Sequence, residues 1–288
     1  MNRLTGYVRD YFIQLPKKSF LFISLILSCL IYINYKYSLN AWILGNPSFS
    51  IKFTRAAALY IPVFAGVYAI LHRHLTTTPF FYFLLVITPL IFAAKVALVT
   101  TDITGSIDPY FKVVMQWPLK LLVVLISVLI IGYAGKYPKP LFGTGLKNAN
   151  LQPYFILLVL MIPLLLVSGM SDDFQKVYPK LQLVGYPDSW PKILFFEICY
   201  GIDFFTIELF FRGFAVLAFI KYAGKNAILP MAVFYCAIHF GKPLAECISS
   251  YFGGLILGAI VYNTRSIWGG LVVHLGIAWM MEGIGLFF

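Results

Sequence analysis

Apolar stretches long enough to cross a bilayer recur along the whole chain. A membrane-spanning helix needs roughly 17–25 mostly apolar residues. Such stretches lie near 19–35, 54–71, 79–100, 114–134, 153–169, 190–220, 226–241, 244–262 and 267–287. Because some of them are short, the pattern predicts an all-α, polytopic transmembrane helix bundle with eight or nine spans.

The stretch at 190–220 is too long for one straight span. Long membrane helices tilt, kink or continue beyond the hydrocarbon region. Gly201 lies within this stretch. We therefore expect the helix to tilt, to kink near Gly201, or to extend into the cytosol.

The composition also indicates an integral membrane protein. Hydrophobic residues make up 60% of the 288 residues and charged residues only 11%, against about 25% charged in soluble domains. The net charge of +11 does not indicate nucleic-acid binding, because the basic residues are scattered between apolar runs. Their distribution is typical of loops retained in the cytoplasm. It predicts a cytoplasmic N-terminus, and we expect the chain to lie in the plasma membrane.

Polar residues within the apolar stretches divide the chain into two parts. We interpret 1–150 as N-terminal transmembrane helices, whose lysines Lys95 and Lys120 are expected to snorkel towards the interface. We interpret 151–288 as a catalytic helical core. Its final hundred residues hold most of the charged and histidine side chains of the predicted helices: Glu197, Asp203, Glu208, Arg212, His239, Glu246, His274 and Glu282.

The segment DFFTIELFFRGF, 203–214, places Asp203, Glu208 and Arg212 inside an apolar helix. Each charge at the bilayer centre costs about 2.5–3.5 kcal/mol, so this helix cannot simply face lipid. At about 100° per residue, polar or small residues share a sector of roughly 60°: Glu197, Gly201, Glu208, Arg212 and Ala215. The pattern predicts one face on a wet internal cavity. A structural ion pair between Glu208 and Arg212, spaced i,i+4, is the alternative.

Two further segments carry histidine. In FYCAIHFGKPLAE, 234–246, a Gly-Lys-Pro break separates His239 from Glu246, and the two can approach across the bend. In GGLVVHLGIAWMMEG, 269–283, His274 stands in the middle of an apolar run. Either histidine alone is explained equally well as a hydrogen-bonded core residue.

Together, one Glu, one Arg and two His residues on successive helices suit hydrolysis inside a membrane. A carboxylate and an imidazole can hold and deprotonate water, while a second imidazole stabilises the oxyanion. Alternatively, Glu208, His239 and His274 ligate a metal ion that activates the water.

These segments resemble the CPBP family of intramembrane proteases, which contains the CAAX prenyl endopeptidases and the bacteriocin-processing and immunity (Abi) proteins. The family's motifs run Glu-Glu-x-x-x-Arg, then Phe-x-x-x-His, then His-x-x-x-Asn or similar. In IELFFRG, Glu208 and Arg212 match the second Glu and the Arg; in YCAIH, His239 matches the His, with Tyr235 at the Phe position. In HLGIA, His274 matches the last His.

The resemblance implies that Glu208, His239, His274 and Arg212 form the catalytic set, with Arg212 keeping Glu208 ionised and oriented. The metalloprotease label of the family implies zinc, although no H-E-x-x-H spacing occurs here. Two motif positions differ: Ile207 replaces the first Glu, and Ala278 replaces the Asn. Glu208 is the preferred replacement carboxylate, and Asp203 and Glu246 are the auxiliary candidates.

The predicted function is therefore an intramembrane endopeptidase that cuts a membrane-anchored, CAAX-like or secreted-peptide substrate within the lipid bilayer. Two alternatives remain. Ile207 and Ala278 suit a catalytically inactive immunity or scaffold protein of the same family. An ion-coupled transporter would instead use Asp203, Glu208 and Arg212 as a relay.

Overall fold

The computed structural model describes residues 2–98, 108–146, 151–187 and 189–287, and the described parts form a helical bundle. The first seven helices are α1 (Asn2–Gln14), α2 (Lys17–Tyr37), α3 (Leu39–Leu44), α4 (Phe49–Ile70), α5 (Pro79–Ala97), α6 (Pro109–Val114) and α7 (Gln116–Ala134). They are followed by α8 (Gln152–Gly169), α9 (Asp172–Gln175), α10 (Trp190–Ile207), π1 (Glu208–Ala218), α11 (Ile220–Ala223), α12 (Ile228–Ala237), α13 (Leu244–Thr264) and α14 (Trp268–Phe287). Short 3₁₀ turns occur at His72–His74, Leu141–Gly143, Lys180–Val184 and Gly224–Ala227.

Seven helical segments in the described parts are long and apolar enough to cross a membrane. They are α2, α4, α5, the continuous stretch Pro109–Ala134, α8, α13 and α14. The predicted polytopic bundle is confirmed, and its span count agrees roughly with the prediction of eight or nine. The protein is an integral membrane protein.

The predicted span at 226–241 is wrong as a full crossing. Its helix, α12, has ten residues, all of them buried. A helix that is apolar on every side belongs in the interior of a bundle. Its end is set by the turn that follows, in which the amide of Lys242 donates to the carbonyl of His239 at 3.0 Å. α12 is therefore a core element enclosed by longer helices.

The long stretch beginning at residue 190 changes its winding instead of kinking at Gly201. α10 ends at Ile207, and the 11-residue π-helix π1 continues from it. At the junction the Thr206 hydroxyl donates to the carbonyl of Ile202 at 3.0 Å, a bond that often bends helices. Apart from Leu217, every residue of π1 is buried. π-Helical segments are rare and occur frequently at functional sites.

An aromatic core fixes π1 against its neighbours. The ring of Phe92, on α5, lies 5.1 Å from the rings of both Phe210 and Phe211. Phe234, on α12, lies 5.3 Å from Phe211 and 5.6 Å from Phe64 on α4. These are favourable separations for aromatic pairs. Helices from both sides of the proposed boundary at residue 150 share this core, and the division into 1–150 and 151–288 stays a prediction.

Candidate active site

Glu208 is the first residue of π1 and lies at the centre of a polar cluster. Its side chain is fully buried, and Oε1 accepts a hydrogen bond from Nδ1 of His274 on α14 at 3.2 Å. Nη1 of Arg212 lies 3.5 Å from the same oxygen. Gly270, one turn before His274, leaves the space that Oε2 occupies, because an added Cβ would overlap that atom. The close approach of π1 and α14 therefore depends on a glycine.

Arg212 joins this carboxylate to an aromatic ring. Its guanidinium carbon lies 4.0 Å from the ring centroid of Tyr235, on α12, and its side chain is 1% exposed. Among the described residues, Oε2 of Glu208 and Nε and Nη1 of Arg212 make no hydrogen bond. Buried polar atoms ordinarily have a partner, and a water molecule often supplies it. Glu208 and Arg212 thus contact each other, while three of their polar atoms lack a hydrogen-bond partner among the described residues.

His274 connects Glu208 to Tyr235. Nδ1 faces the carboxylate, and Nε2 lies 3.1 Å from the Tyr235 hydroxyl oxygen. The Phe204 ring packs against the imidazole with its centroid 4.8 Å away. The result is a continuous chain, carboxylate to imidazole to phenol, built from three elements: π1, α14 and α12.

His239 lies beside Tyr235, in the turn after α12. Its Nδ1 is 2.7 Å from the backbone carbonyl of Tyr235, and the two rings are 4.6 Å apart. A carbonyl oxygen only accepts, so Nδ1 must carry the proton of the neutral ring, which leaves a lone pair on Nε2. Within the described parts of the chain this Nε2 has no hydrogen-bond partner. His239 is therefore oriented as a base.

The exposure of these groups corrects one prediction. Glu208 and Arg212 are sealed, with exposed side-chain fractions of 0% and 1%, so they do not face an open wet cavity. The stripe computed at 100° per residue does not hold beyond residue 207, because π1 has a wider turn than an α-helix. His274 is 17% exposed, and His239 is partly exposed. Access to the cluster therefore runs past the two imidazoles.

Asp203 does not reach the position predicted for it. Its Oδ1 forms an ion pair with Nζ of Lys95, on α5, at 2.7 Å. Lys95 is buried, with 7% of its side chain exposed, so it does not snorkel as expected. This contact links α5 to α10 and commits the Asp203 carboxylate to a lysine.

Glu246 is held by a separate network at the start of α13. Nζ of Lys242 lies 3.1 Å from its Oε1, and the Tyr178 hydroxyl lies 3.2 Å from both carboxylate oxygens. Nζ of Lys242 in turn donates to the hydroxyl oxygen of Tyr178 at 2.7 Å. Glu282 is also structural, since it accepts from the backbone amides of Lys180 and Leu181 at 2.7 and 3.3 Å. Neither carboxylate contacts His239 or His274 by a hydrogen bond in the described residues.

The predicted zinc ligands do not fit a metal ion in this arrangement. Oε1 of Glu208 and both nitrogens of His274 already bind protein groups, and Nδ1 of His239 is bound to a carbonyl. Within the described ranges, no group of three His, Cys, Asp or Glu side chains is placed to hold a metal. The zinc site of Glu208, His239 and His274 stays a prediction.

Sequence reasoning missed the role of Tyr235. The sequence aligned Tyr235 only with the Phe position of the second motif, where an aromatic ring is expected. Its i,i+4 spacing to His239 is the further signal that could have drawn attention to its hydroxyl. In the structure its hydroxyl, ring face and carbonyl contact His274, Arg212 and His239 respectively. Tyr235 is thus the residue that joins the predicted site residues to one another.

Comparison with known proteins identifies a similarity over this part of the chain. A family model described as "Type II CAAX prenyl endopeptidase Rce1-like" matches residues 189–280. This match confirms the predicted resemblance, and it covers Glu208, Arg212, Tyr235, His239 and His274. No curated protein and no solved structure matches the chain.

Proposed function

We propose that this chain, whose residues 189–280 match the model of Rce1-like type II CAAX prenyl endopeptidases, is an intramembrane endopeptidase. One observation carries the proposal. Glu208, Arg212 and His274 meet at Tyr235, and His239 lies beside Tyr235 with a free acceptor nitrogen. A buried, oriented carboxylate–imidazole pair beside a second imidazole has the groups needed to hydrolyse a peptide bond.

His239 is the general base. Its Nδ1 proton is fixed on the Tyr235 carbonyl, so Nε2 accepts a proton from water as the water oxygen bonds to the substrate's carbonyl carbon. The same nitrogen then returns that proton to the leaving amine as the C–N bond breaks. One hydrogen of the water thus ends on the new amine. The other stays on the new carboxylic acid and passes to solvent when that acid ionises, and the imidazole is restored to its neutral form.

Glu208 and Arg212 act on His274 from the protein interior. The ionised carboxylate fixes the Nδ1–H tautomer of His274, and the guanidinium balances the charge of Glu208. A buried charge without a counter-charge is strongly destabilising, and each of these two groups supplies the counter-charge of the other. This pair therefore holds His274 in one orientation without exposing a net charge to lipid.

The substrate is a membrane-anchored peptide or protein, cut near its C-terminus. Similarity to CAAX prenyl endopeptidases favours a prenylated Cys-aliphatic-aliphatic-X end, and processing of a secreted peptide is the other substrate class. The lipid anchor would keep the scissile bond at the depth of the partly exposed histidines. We place the enzyme in the plasma membrane with a cytoplasmic N-terminus.

The test is cleavage of a farnesylated Cys-aliphatic-aliphatic-X peptide by the purified protein in lipid vesicles. We expect Glu208→Ala and His239→Ala each to lower kcat by about 10²-fold or more, because general base catalysis contributes 10²–10⁴-fold. Glu246→Gln, whose carboxylate binds Lys242 and Tyr178, is the matched control and should cut at near the wild-type rate. Normal cleavage by both alanine variants would rule out this site.

A catalytically inactive immunity or scaffold protein is the second candidate. Ile207, at the first motif Glu, is 7% exposed and belongs to the apolar core, so no carboxylate stands at that position. This candidate predicts a silent wild-type protein in which Ile207→Glu creates cleavage. It also predicts that the biological function survives His239→Ala, whereas the protease requires His239.

A further inference from the structure

We infer that Tyr235 is a catalytic residue whose hydroxyl oxygen holds the attacking water; this assignment rests on the proposed function. His274 cannot itself contact water or substrate without losing a protein partner, because Nδ1 binds Glu208 and Nε2 binds the Tyr235 hydroxyl. The atom at the end of this hydrogen-bonded series of side chains is therefore the phenol oxygen of Tyr235. Sequence patterns predict only a core aromatic residue there.

The protonation states along the hydrogen-bonded series Glu208, His274 and Tyr235 follow from its buried charges. Glu208 and Arg212 already balance each other in a sealed environment, so a neutral His274 avoids an additional buried charge. With its proton on Nδ1, facing the carboxylate, Nε2 must accept, and the Tyr235 hydroxyl must donate to it. The phenol oxygen then keeps lone pairs that can accept a hydrogen bond, although the Arg212 guanidinium also interacts with this hydroxyl.

The rings of Tyr235 and His239 pack against each other, and each ring carries one acceptor that could bind the same water. The Tyr235 ring lies 4.6 Å from the His239 ring, and Nε2 of His239 carries a lone pair because Nδ1 donates to the Tyr235 carbonyl. A water that donates one hydrogen to each acceptor has its own lone pair directed away from both. That orientation presents the water oxygen to a carbonyl carbon.

The chemical step is balanced by these two groups. The water oxygen forms a bond to the carbonyl carbon while one O–H bond breaks and its proton moves to Nε2 of His239. The second hydrogen stays hydrogen-bonded to Tyr235, which neither gains nor loses a proton overall. Glu208 and His274 act through the phenol by fixing the direction of its hydroxyl hydrogen, and they are positioning residues for this step.

The surroundings of the hydroxyl support the assignment. Arg212 stacks on the Tyr235 ring and helps to hold it in place. Ile207, next to Glu208, is apolar and belongs to the core, and Oε1 of Glu208 is already bound to His274. The phenol oxygen of Tyr235 is therefore the acceptor that this cluster offers to water.

Tyr235→Phe tests the assignment because it removes only the hydroxyl. We expect kcat for the farnesylated peptide to fall by about 10²-fold, with KM within threefold of wild type and no large change in melting temperature. Tyr137→Phe is the matched control, since its hydroxyl donates to the Ala218 carbonyl at 2.9 Å, away from the cluster. It should cut normally.

The double variant Tyr235→Phe/His274→Gln supplies a readout that a purely structural role would not give. If His274 acts through the phenol, the double variant should be no more than about threefold slower than the slower single variant, because the effects of residues that act as one unit are not additive. A double-variant loss of kcat equal to the product of the two single-variant losses would overturn the assignment. A Tyr235→Phe kcat within threefold of wild type would also overturn it.

The same measurements separate the two proposals. If wild type cuts but Tyr235→Phe is normal and His239→Ala is inactive, only the Tyr235 assignment fails. If wild type does not cut, the proposed function fails and the Tyr235 assignment falls with it.

Discussion

Arg212 makes two kinds of contact that a lysine cannot reproduce together. It neutralises Glu208, and its planar guanidinium lies on the face of Tyr235. A guanidinium stacks on an aromatic ring and still directs N–H groups sideways, whereas an ammonium is a more strongly hydrated point charge. At this site the residue type therefore decides both the charge balance of Glu208 and the placement of the Tyr235 ring.

We expect stability to fall in the order wild type, Arg212→Lys, Arg212→Met. Lysine keeps the charge and can still approach the ring as a cation, but it loses the planar stacking and the directed N–H groups of the guanidinium, and we expect a cost of about 1 kcal/mol. Methionine leaves Glu208 buried without a counter-charge, at a cost of about 3–5 kcal/mol. Melting temperatures in one detergent measure the order. A melting temperature of Arg212→Lys equal to that of wild type would show that stacking contributes nothing. Equal melting temperatures for the two variants would show that the counter-charge contributes nothing.

The atoms of the cluster that could ligate a metal ion lead to a prediction about the metal dependence of cleavage. Because Glu208 Oε1 and both His274 nitrogens bind protein groups, we expect cleavage to survive dialysis against EDTA with less than a threefold loss of rate. Readdition of zinc should not raise the rate. Loss of activity on dialysis with recovery by zinc would show that the histidines reorganise around a metal ion.

Sequence reasoning identified the charged residues of the site and the i,i+4 pairing of Glu208 with Arg212, but not their partners on other helices. Glu208, Arg212, His239 and His274 were detectable because charge or imidazole in an apolar helix is costly and therefore conspicuous. Tyr235 was not, because tyrosine is common in buried helices. Asp203 was assigned by angle around its own helix, and that angle contains no information about Lys95 on α5.

At the scale of elements, π1 and α14 form the contact on which the site depends. The π winding begins at Glu208, so that this residue faces Gly270 and His274. A calculation with 100° per residue predicted the existence of the helix but not its change of winding, because hydrophobic periodicity assumes the α-helical turn. The length of the buried helix α12 was overestimated for a similar reason. The length of an apolar stretch alone does not distinguish a core helix from a membrane span.

Gly270→Ala tests this contact. The added methyl group overlaps Glu208 Oε2, so α14 or the carboxylate must move, and we expect a loss of about 1–3 kcal/mol in stability together with a lower kcat. Gly283→Ala, on the same helix with no atom within 4 Å of the added Cβ, is the control. It should keep full activity and equal or higher stability. Normal kcat and stability for Gly270→Ala would mean that the approach of π1 to α14 is not required.

For the whole molecule, the structure combines lipid-facing spans with helices that are enclosed by others and carry the polar cluster. α2 and α8 are only 17% buried over their most apolar windows, as expected for helices at the periphery, whereas π1 and α12 are enclosed. The bundle architecture was predictable because bilayer thickness sets helix length. Which helices pack against one another was not predictable, since this depends on contacts between segments distant in sequence, such as Lys95 with Asp203.

The Lys95–Asp203 ion pair should stabilise the molecule without taking part in catalysis. Asp203→Asn leaves the buried Lys95 ammonium without an anion, and we expect a loss of about 1.5–3 kcal/mol, the usual range for a hydrogen bond to a charged group. Lys95→Met/Asp203→Leu removes both charges and should be more stable than Asp203→Asn, because an unpaired charge costs more than an absent pair. Melting temperature measures the stabilities, and kcat per folded molecule should stay within threefold of wild type in both variants, since neither side chain contacts the cluster around Tyr235. If Asp203→Asn instead keeps its stability and loses kcat by tenfold or more, Asp203 is a catalytic carboxylate and its pairing with Lys95 is not its main role.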